Sequence, residues 1–307
     1  MKRVSLALYG MAAILTTGVT AAAHADEMAT QLQNLVEKRA PSIVTVKVVL
    51  KSEFKAGGQG QDSESRMELQ GVVVDRSGLV MVSSSAWSPN RFAEMMGGAD
   101  NQEGFGVKVT PTEFKVIFER DEKEYSAFLA ATDTKLDLGF LKIEDPLDRT
   151  VTAVDFGATA TPTVGQQVVS VSRLPKGYDY APYFESARIS GVIAKPRKAW
   201  MLDGSISGFG LPVFSSSGEV LGVLTTVASG VKDASSRDSM GFSMFMRMMS
   251  GAGGGLFRAF LVPAPAVESV ILQARQRAVE VAAQRAKNRA NAKPVPEKKP
   301  AAPGKGK

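Results

Sequence analysis

The chain has 307 residues, 44% of them hydrophobic, a net charge of +6, a single histidine and no cysteine. That length and apolar content suit one large all-β domain, or two small domains, with a substantial core. The absence of cysteine excludes disulfides and a lipoprotein signal, so the fold must rest on core burial alone. From Ala264 onward there are ten Lys/Arg against three Glu, so the basic balance belongs to the end of the chain and 26–263 is net acidic. A basic tail is a surface for polyanions, or simply a solvated end.

Lys2 and Arg3 form a basic start, an apolar and small-residue stretch runs from Val4 to about Ala22, and Ala23-His24-Ala25 supplies an A-x-A cleavage pattern. This predicts a secretory signal peptide over 1–25 and export to the periplasm or beyond the cell. Cleavage there would remove His24, the only histidine. In 26–40, Met28, Leu32, Leu35 and Val36 have helical spacing that Pro41 ends. Ser42 to Leu50 is β-branched and reads as a strand. Residues 52–66 read as a loop, followed by a hairpin of Leu69–Asp75, a turn at Arg76-Ser77-Gly78 and a return over Leu79–Val82. The aperiodic, Gly/Asn/Met-rich stretch 87–111 predicts a long surface loop. Glu113–Phe118 and Tyr125–Ala131 form a second hairpin about a charged turn. Leu138–Ile143, Gln166–Ser172, Ala187–Ala194, Leu211–Phe214 and Val220–Val227 are further short strands between Gly/Pro/Ser punctuation. Short strands at this density argue a sandwich or barrel rather than βαβ units.

The pattern changes near Gly251. Residues 251–265 read as a Gly/Pro linker, and 266–290 as a helix. Val267, Val270, Ile271, Ala274, Ala278, Val281 and Ala282 share one face of it, and Arg275, Arg277, Arg285 and Arg289 lie outside that face. The expectation is a helix docked on the barrel; self-association through it stays open. Residues 291–307 are Lys/Pro/Ala low complexity with too little apolar surface to fold.

Small motifs in order now point to a family. QGVVVDRSGLVMVSSSAW (70–87) resembles the segment of HtrA-type proteases that carries the catalytic histidine, with Gly71, Asp75 and Gly78 in register; the histidine position falls on Ser85. TDTKLDLGFLKIE (132–144) resembles the family's DxxxDLALLKI strand, with Asp133 at its first Asp and Asp137 at the triad Asp. VGQQVVSVSRLPKG (164–177) and ARISGVIA (187–194) resemble two further stretches. SGFGLPVFSSSGEVLGV (207–223) is similar to the nucleophile segment GNSGGPLxxxxGxVxGI. Pro212, Gly218, Val220 and Gly222 hold that register, which places Phe209 at the nucleophile and Leu211 at the glycine before the proline. MGFSM (240–244) resembles the strand that ends the barrel pair.

The resemblance covers about 38–250 and implies a trypsin-like double antiparallel β-barrel over 26–250 with the site between the barrels. The residues after Gly251 are helical or low-complexity in pattern, so no PDZ domain is expected.

The implied chemistry is incomplete. The triad needs an imidazole to carry the serine proton, and a serine at position 85 is no base near neutral pH. Phe209 offers no hydroxyl or thiolate. Only Asp137 matches, and an Asp at a strand entrance can simply accept nearby hydrogen bonds. Ser205 and Ser207 are fallback nucleophiles, and a Ser-Lys dyad with Lys195, Lys198 or another lysine would need no histidine. The middle residue of Gly204–Gly208 is Ile206, so this is not a G-x-S-x-G elbow. No cofactor or metal is expected; Asp121-Glu122-Glu124 reads as a solvated turn.

Three functions follow from these residues. The first is a non-catalytic protease homologue that binds a polypeptide or envelope protein by β-augmentation. The second is a histidine-independent serine endopeptidase. The third is a structural envelope component acting through the helix and the basic tail. An oligomer and a polyanion contact through the tail are further expectations.

Overall fold

A computed structural model of the chain describes residues 27–56, 59–85, 87, 105–158, 160–195, 197–226 and 259–291. The signal peptide with His24, most of the 87–111 stretch, the 240–244 segment, most of the expected linker and the tail from 292 lie outside the described residues. The helical pattern near the start forms α1, residues 27–39, and Pro41 turns the chain through a single 3-10 turn at Ala40–Ser42.

Two closed antiparallel barrels follow. The first holds β1 (Ile43–Ala56), β2 (Gln59–Asp75), β3 (Leu79–Ser83), β4 (Phe105–Phe118), β5 (Tyr125–Asp133) and β6 (Leu138–Ile143), in the order β1-β2-β3-β6-β5-β4. The second holds β7 (Gln167–Arg173), β8 (Pro182–Ile193), β9 (Ala199–Gly204), β10 (Pro212–Ser215), β11 (Val220–Thr226) and β12 (Ala259–Pro263), in the order β10-β11-β12-β9-β8-β7. The expected all-β double barrel is therefore the observed fold.

Burial explains why several strands read as unbroken apolar runs. In β3, Val80 and Val82 face the interior of the first barrel. Leu79 and Met81 face a second layer that also contains Val169, Val171, Phe214 and Val223 of the other barrel. A strand wedged between two cores buries both faces, so its pattern loses the period of two. This inter-barrel layer joins the halves. The separate interior of the second barrel is built from Val168, Ile189, Trp200, Val213, Leu221, Leu224 and Leu261.

The C-terminal helix α2 runs Ala264–Asn291. Its Val267, Ile271, Ala274 and Ala278 are buried in the inter-barrel layer, on the face the spacing predicts. Charge fixes its outer turns: Arg275 pairs with Asp75 at 3.0 Å, and Arg285 and Arg289 hold the two oxygens of Glu144 at 2.7 and 2.8 Å. Burial pushes the Glu144 carboxyl up, but the two guanidinium hydrogen bonds outweigh it and hold the group below the ordinary carboxylate range.

Three expectations need correction, and one strand carried no signal in the sequence. The loop at 52–66 is the tip of a long hairpin, with Lys51↔Glu64 and Ser52↔Ser63 in register. Polar, glycine-rich composition hid strands whose edge positions face water. The stretch 105–111 belongs to β4 and pairs with β1 rather than forming loop. The linker 251–265 contains β12, which pairs with β11 and β9, so the second barrel closes beyond residue 250. Strand β9 was not foreseen; its AWMLDG has no alternation.

Candidate functional site

The first wall of the cleft lies where β3 runs out and β6 begins. Ser84 donates its N–H to the Asp137 carbonyl at 3.0 Å. Asp137 is buried and has φ of +58°, a left-handed conformation uncommon for a side-chain-bearing residue. Its carboxylate is wrapped by hydroxyls: Ser83 Oγ donates to Oδ2 and Ser84 Oγ to Oδ1, each at 3.2 Å. Ser85 Oγ lies 2.9 Å from Ser83 Oγ. Two of the matched positions, Ser85 and Asp137, are thus brought together through a third serine. Ser83 and Ser84 escaped notice as functional neighbours, although the Ser-Ser-Ser run was the visible signal. Asp133, the other matched aspartate, instead accepts the Leu136 N–H at 2.7 Å and shapes the turn into β6.

The second wall is the turn 205–211. Phe209, the residue that the motif resemblance sets against the nucleophile, is half-buried and its ring packs on the interior cluster of the second barrel. Leu211 is fully buried in the inter-barrel layer. The backbone N–H groups that a substrate oxygen would need are already bonded within the protein. Phe209 N–H bonds the Ser207 carbonyl at 2.9 Å, Gly210 N–H the Leu224 carbonyl at 2.8 Å and Leu211 N–H the Gly208 carbonyl at 3.0 Å. An oxyanion hole needs free donors, among them the N–H of the nucleophile and that of the residue two before it. Here the second of these, Ser207 N–H, binds Glu185 Oε2 at 2.9 Å, while Ser207 Oγ donates to Glu185 Oε1 at 2.8 Å.

Glu185 reaches this turn by strand register. On β8 it shares a face with Ala187 and Ile189, which point into the barrel. Ala187 pairs with Gly204 of β9, so Glu185 stands two residues beyond, opposite the start of the turn. Nothing local in the sequence marks it.

The two walls meet at Gly210. Its φ is +82°, and a Cβ there would lie 2.4 Å from the Ser83 N; only glycine allows that approach. Of the fallback nucleophiles, Ser207 is paired with a carboxylate rather than a lysine, and Ser205 is exposed. Lys198 places its ammonium over the Trp200 ring, 5.2 Å from the centroid. Among the described residues there is no cluster of three or more His, Asp or Glu able to hold a metal ion. A groove of about 540 Å³ on the first barrel is lined by Lys47, Arg66, Glu68, Glu113, Lys115 and Glu124 among others. It includes no residue of either wall; Lys47 and Lys115 both grip Glu124, at 2.5 and 3.1 Å.

Two six-stranded antiparallel barrels with a site drawn from the β3–β6 end of one and the turn before β10 of the other define the chymotrypsin-type two-barrel architecture. A model of the family described as "Trypsin-like peptidase domain" matches residues 70–223, and the chain belongs to that family. Among solved structures, it is similar to the "Crystal structure of MamO protease domain from Magnetospirillum magneticum (apo form)". That likeness has 15% identity and a TM-score of 0.42, covering 76% of this chain and 96% of that one. No curated protein matches the chain.

Proposed function

We propose that the protein is an exported, non-catalytic member of the trypsin-like family that binds polypeptide rather than cutting it. One observation carries this reading: at the positions that the motif resemblance sets against the triad, Ser85, Asp137 and Phe209, the Asp137 carboxylate accepts from two serine hydroxyls and the Phe209 ring is packed on the barrel. A hydroxyl cannot act as the base that an imidazole would be, and a phenyl ring cannot attack a carbonyl. The family's architecture supports the polypeptide as ligand, since its cleft is shaped for an extended chain. The signal-peptide pattern supports a place in the cell envelope.

One contact favours the histidine-independent peptidase: Ser207 Oγ donates to a carboxylate at 2.8 Å. The same carboxylate occupies the Ser207 N–H, so base and oxyanion donor would compete for one group. That ranks the peptidase second. The docked helix, whose apolar face is spent on the barrels, ranks a purely structural role through that face third.

The test is fluorophosphonate labelling of the purified protein with intact-mass readout, beside casein cleavage. The expected result is no adduct and no cleavage. A stoichiometric adduct on Ser205 or Ser207 overturns the reading and makes the protein a histidine-independent hydrolase.

A further inference from the structure

The turn before β10 already binds a ligand group, supplied by the protein itself. Ser207 offers two donors on one residue, its N–H and its hydroxyl, and each takes a different oxygen of the Glu185 carboxylate, at 2.9 and 2.8 Å. This is a fork matched to a carboxylate, which gives each donor its own charged oxygen, whereas a backbone carbonyl would have to share one neutral oxygen between both. Charge-assisted bonds of this kind are about twice as strong as neutral ones. Ser207 is exposed, so the fork opens to solvent at the cleft rather than being part of a core. Glu185 continues the inward row of β8 but stands outside the interior cluster that holds Ala187 and Ile189.

We propose that the Ser207 fork is a recognition point for the C-terminal carboxylate of a polypeptide, and that Glu185 is a tethered stand-in that covers it until such a chain displaces it. This rests on the polypeptide-binding reading above and names the chemical group that the site reads. The fork lies two residues before Phe209 and three before Gly210, which touches the end of β3. A chain ending there would run along the cleft with its terminus pinned.

The experiment uses the purified full chain, its E185A and E185Q variants and the double variant E185A/S207A. The probes are two pools of random-sequence decapeptides, fluorescein-labelled at the N-terminus, one with free C-terminal carboxylates and one with C-terminal amides. Capture is read by fluorescence anisotropy, and far-UV circular dichroism confirms that each variant keeps its barrels. E185A is expected to bind the free-acid pool about tenfold more tightly than the unaltered protein, with no gain for the amide pool. E185Q should gain less, since its amide still satisfies one donor. The gain should disappear in E185A/S207A. If E185A binds both pools alike, or gains nothing over an unaltered protein that binds both, the fork proposal is overturned and the polypeptide-binding reading stands. If neither pool binds any of the proteins, both fall.

Discussion

The two walls of the candidate site differ in chemistry. The first-barrel wall is polar: the Asp137 carboxylate is buried there, and Ser83 and Ser84 surround it with hydroxyls. The second-barrel wall is apolar at its end, with Phe209 and Leu211 packed on neighbouring clusters and the N–H groups of Phe209, Gly210 and Leu211 bonded to backbone carbonyls. A buried carboxylate cannot be left bare, because an unpaired charge there costs several kcal/mol. The Ser83 and Ser84 hydroxyls supply the donors on that side. The turn 205–211 has no such constraint at Phe209 and Leu211; hydrocarbon fills the space there and the backbone donors bond the nearest carbonyls.

The seam between the walls is where the comparison breaks most completely. G210A should cost about 4 kcal/mol of unfolding free energy, since it combines a positive φ with a Cβ driven against the Ser83 backbone. Urea unfolding measures it; a loss below about 1 kcal/mol would mean that the walls do not touch as described. F209S is next. It puts a hydroxyl back at the nucleophile position while removing a half-buried ring, for a loss of about 2–3 kcal/mol. It should gain no fluorophosphonate label, because the base is still absent. Label at position 209 in that variant would overturn the expectation that a hydroxyl there lacks a base.

D137A probes the first wall. It strips the acceptor from Ser83 and Ser84 and leaves alanine in a left-handed conformation, which should cost about 2 kcal/mol. An unchanged urea midpoint would mean that the hydroxyls find water instead. The smallest effect lies outside the cleft, at the clamp between α2 and Glu144. E144Q should cost about 1 kcal/mol at neutral pH. The Glu144 carboxyl is held below its ordinary value of 4.5 in the folded protein. Its contribution is therefore full above that value and is lost as pH falls through the lowered one. Thermal melts from pH 7 to 3 should show the unaltered protein and E144Q converging at the acid end.

Much of the fold was legible because the signals were local. Short apolar or β-branched runs between turn signals marked β1, β3, β6, β7 and β11, and the apolar face of α2 was correct residue by residue for Val267, Ile271, Ala274 and Ala278. The charged, glycine-rich tip of the β1–β2 hairpin was missed because strand positions that face water need no apolar period, and β9 was missed because its apolar residues do not alternate, although it pairs with both β12 and β8. Strand β12 was missed because a Gly/Pro-rich neighbourhood masked five residues whose only strand signal is their partners β11 and β9.

The sequence by itself determined the residue types at the matched triad positions, and with them the absence of an imidazole and a nucleophile there, because those are facts of identity and spacing. Only the tertiary structure decided what stands in their place. That Ser83 bridges Ser85 to Asp137, that Gly210 seats against β3, and that Glu185 comes across from β8 to hold Ser207, all depend on strand register and barrel closure. These bring together residues from about 20 to over 100 positions apart, a distance over which sequence periodicity carries no signal.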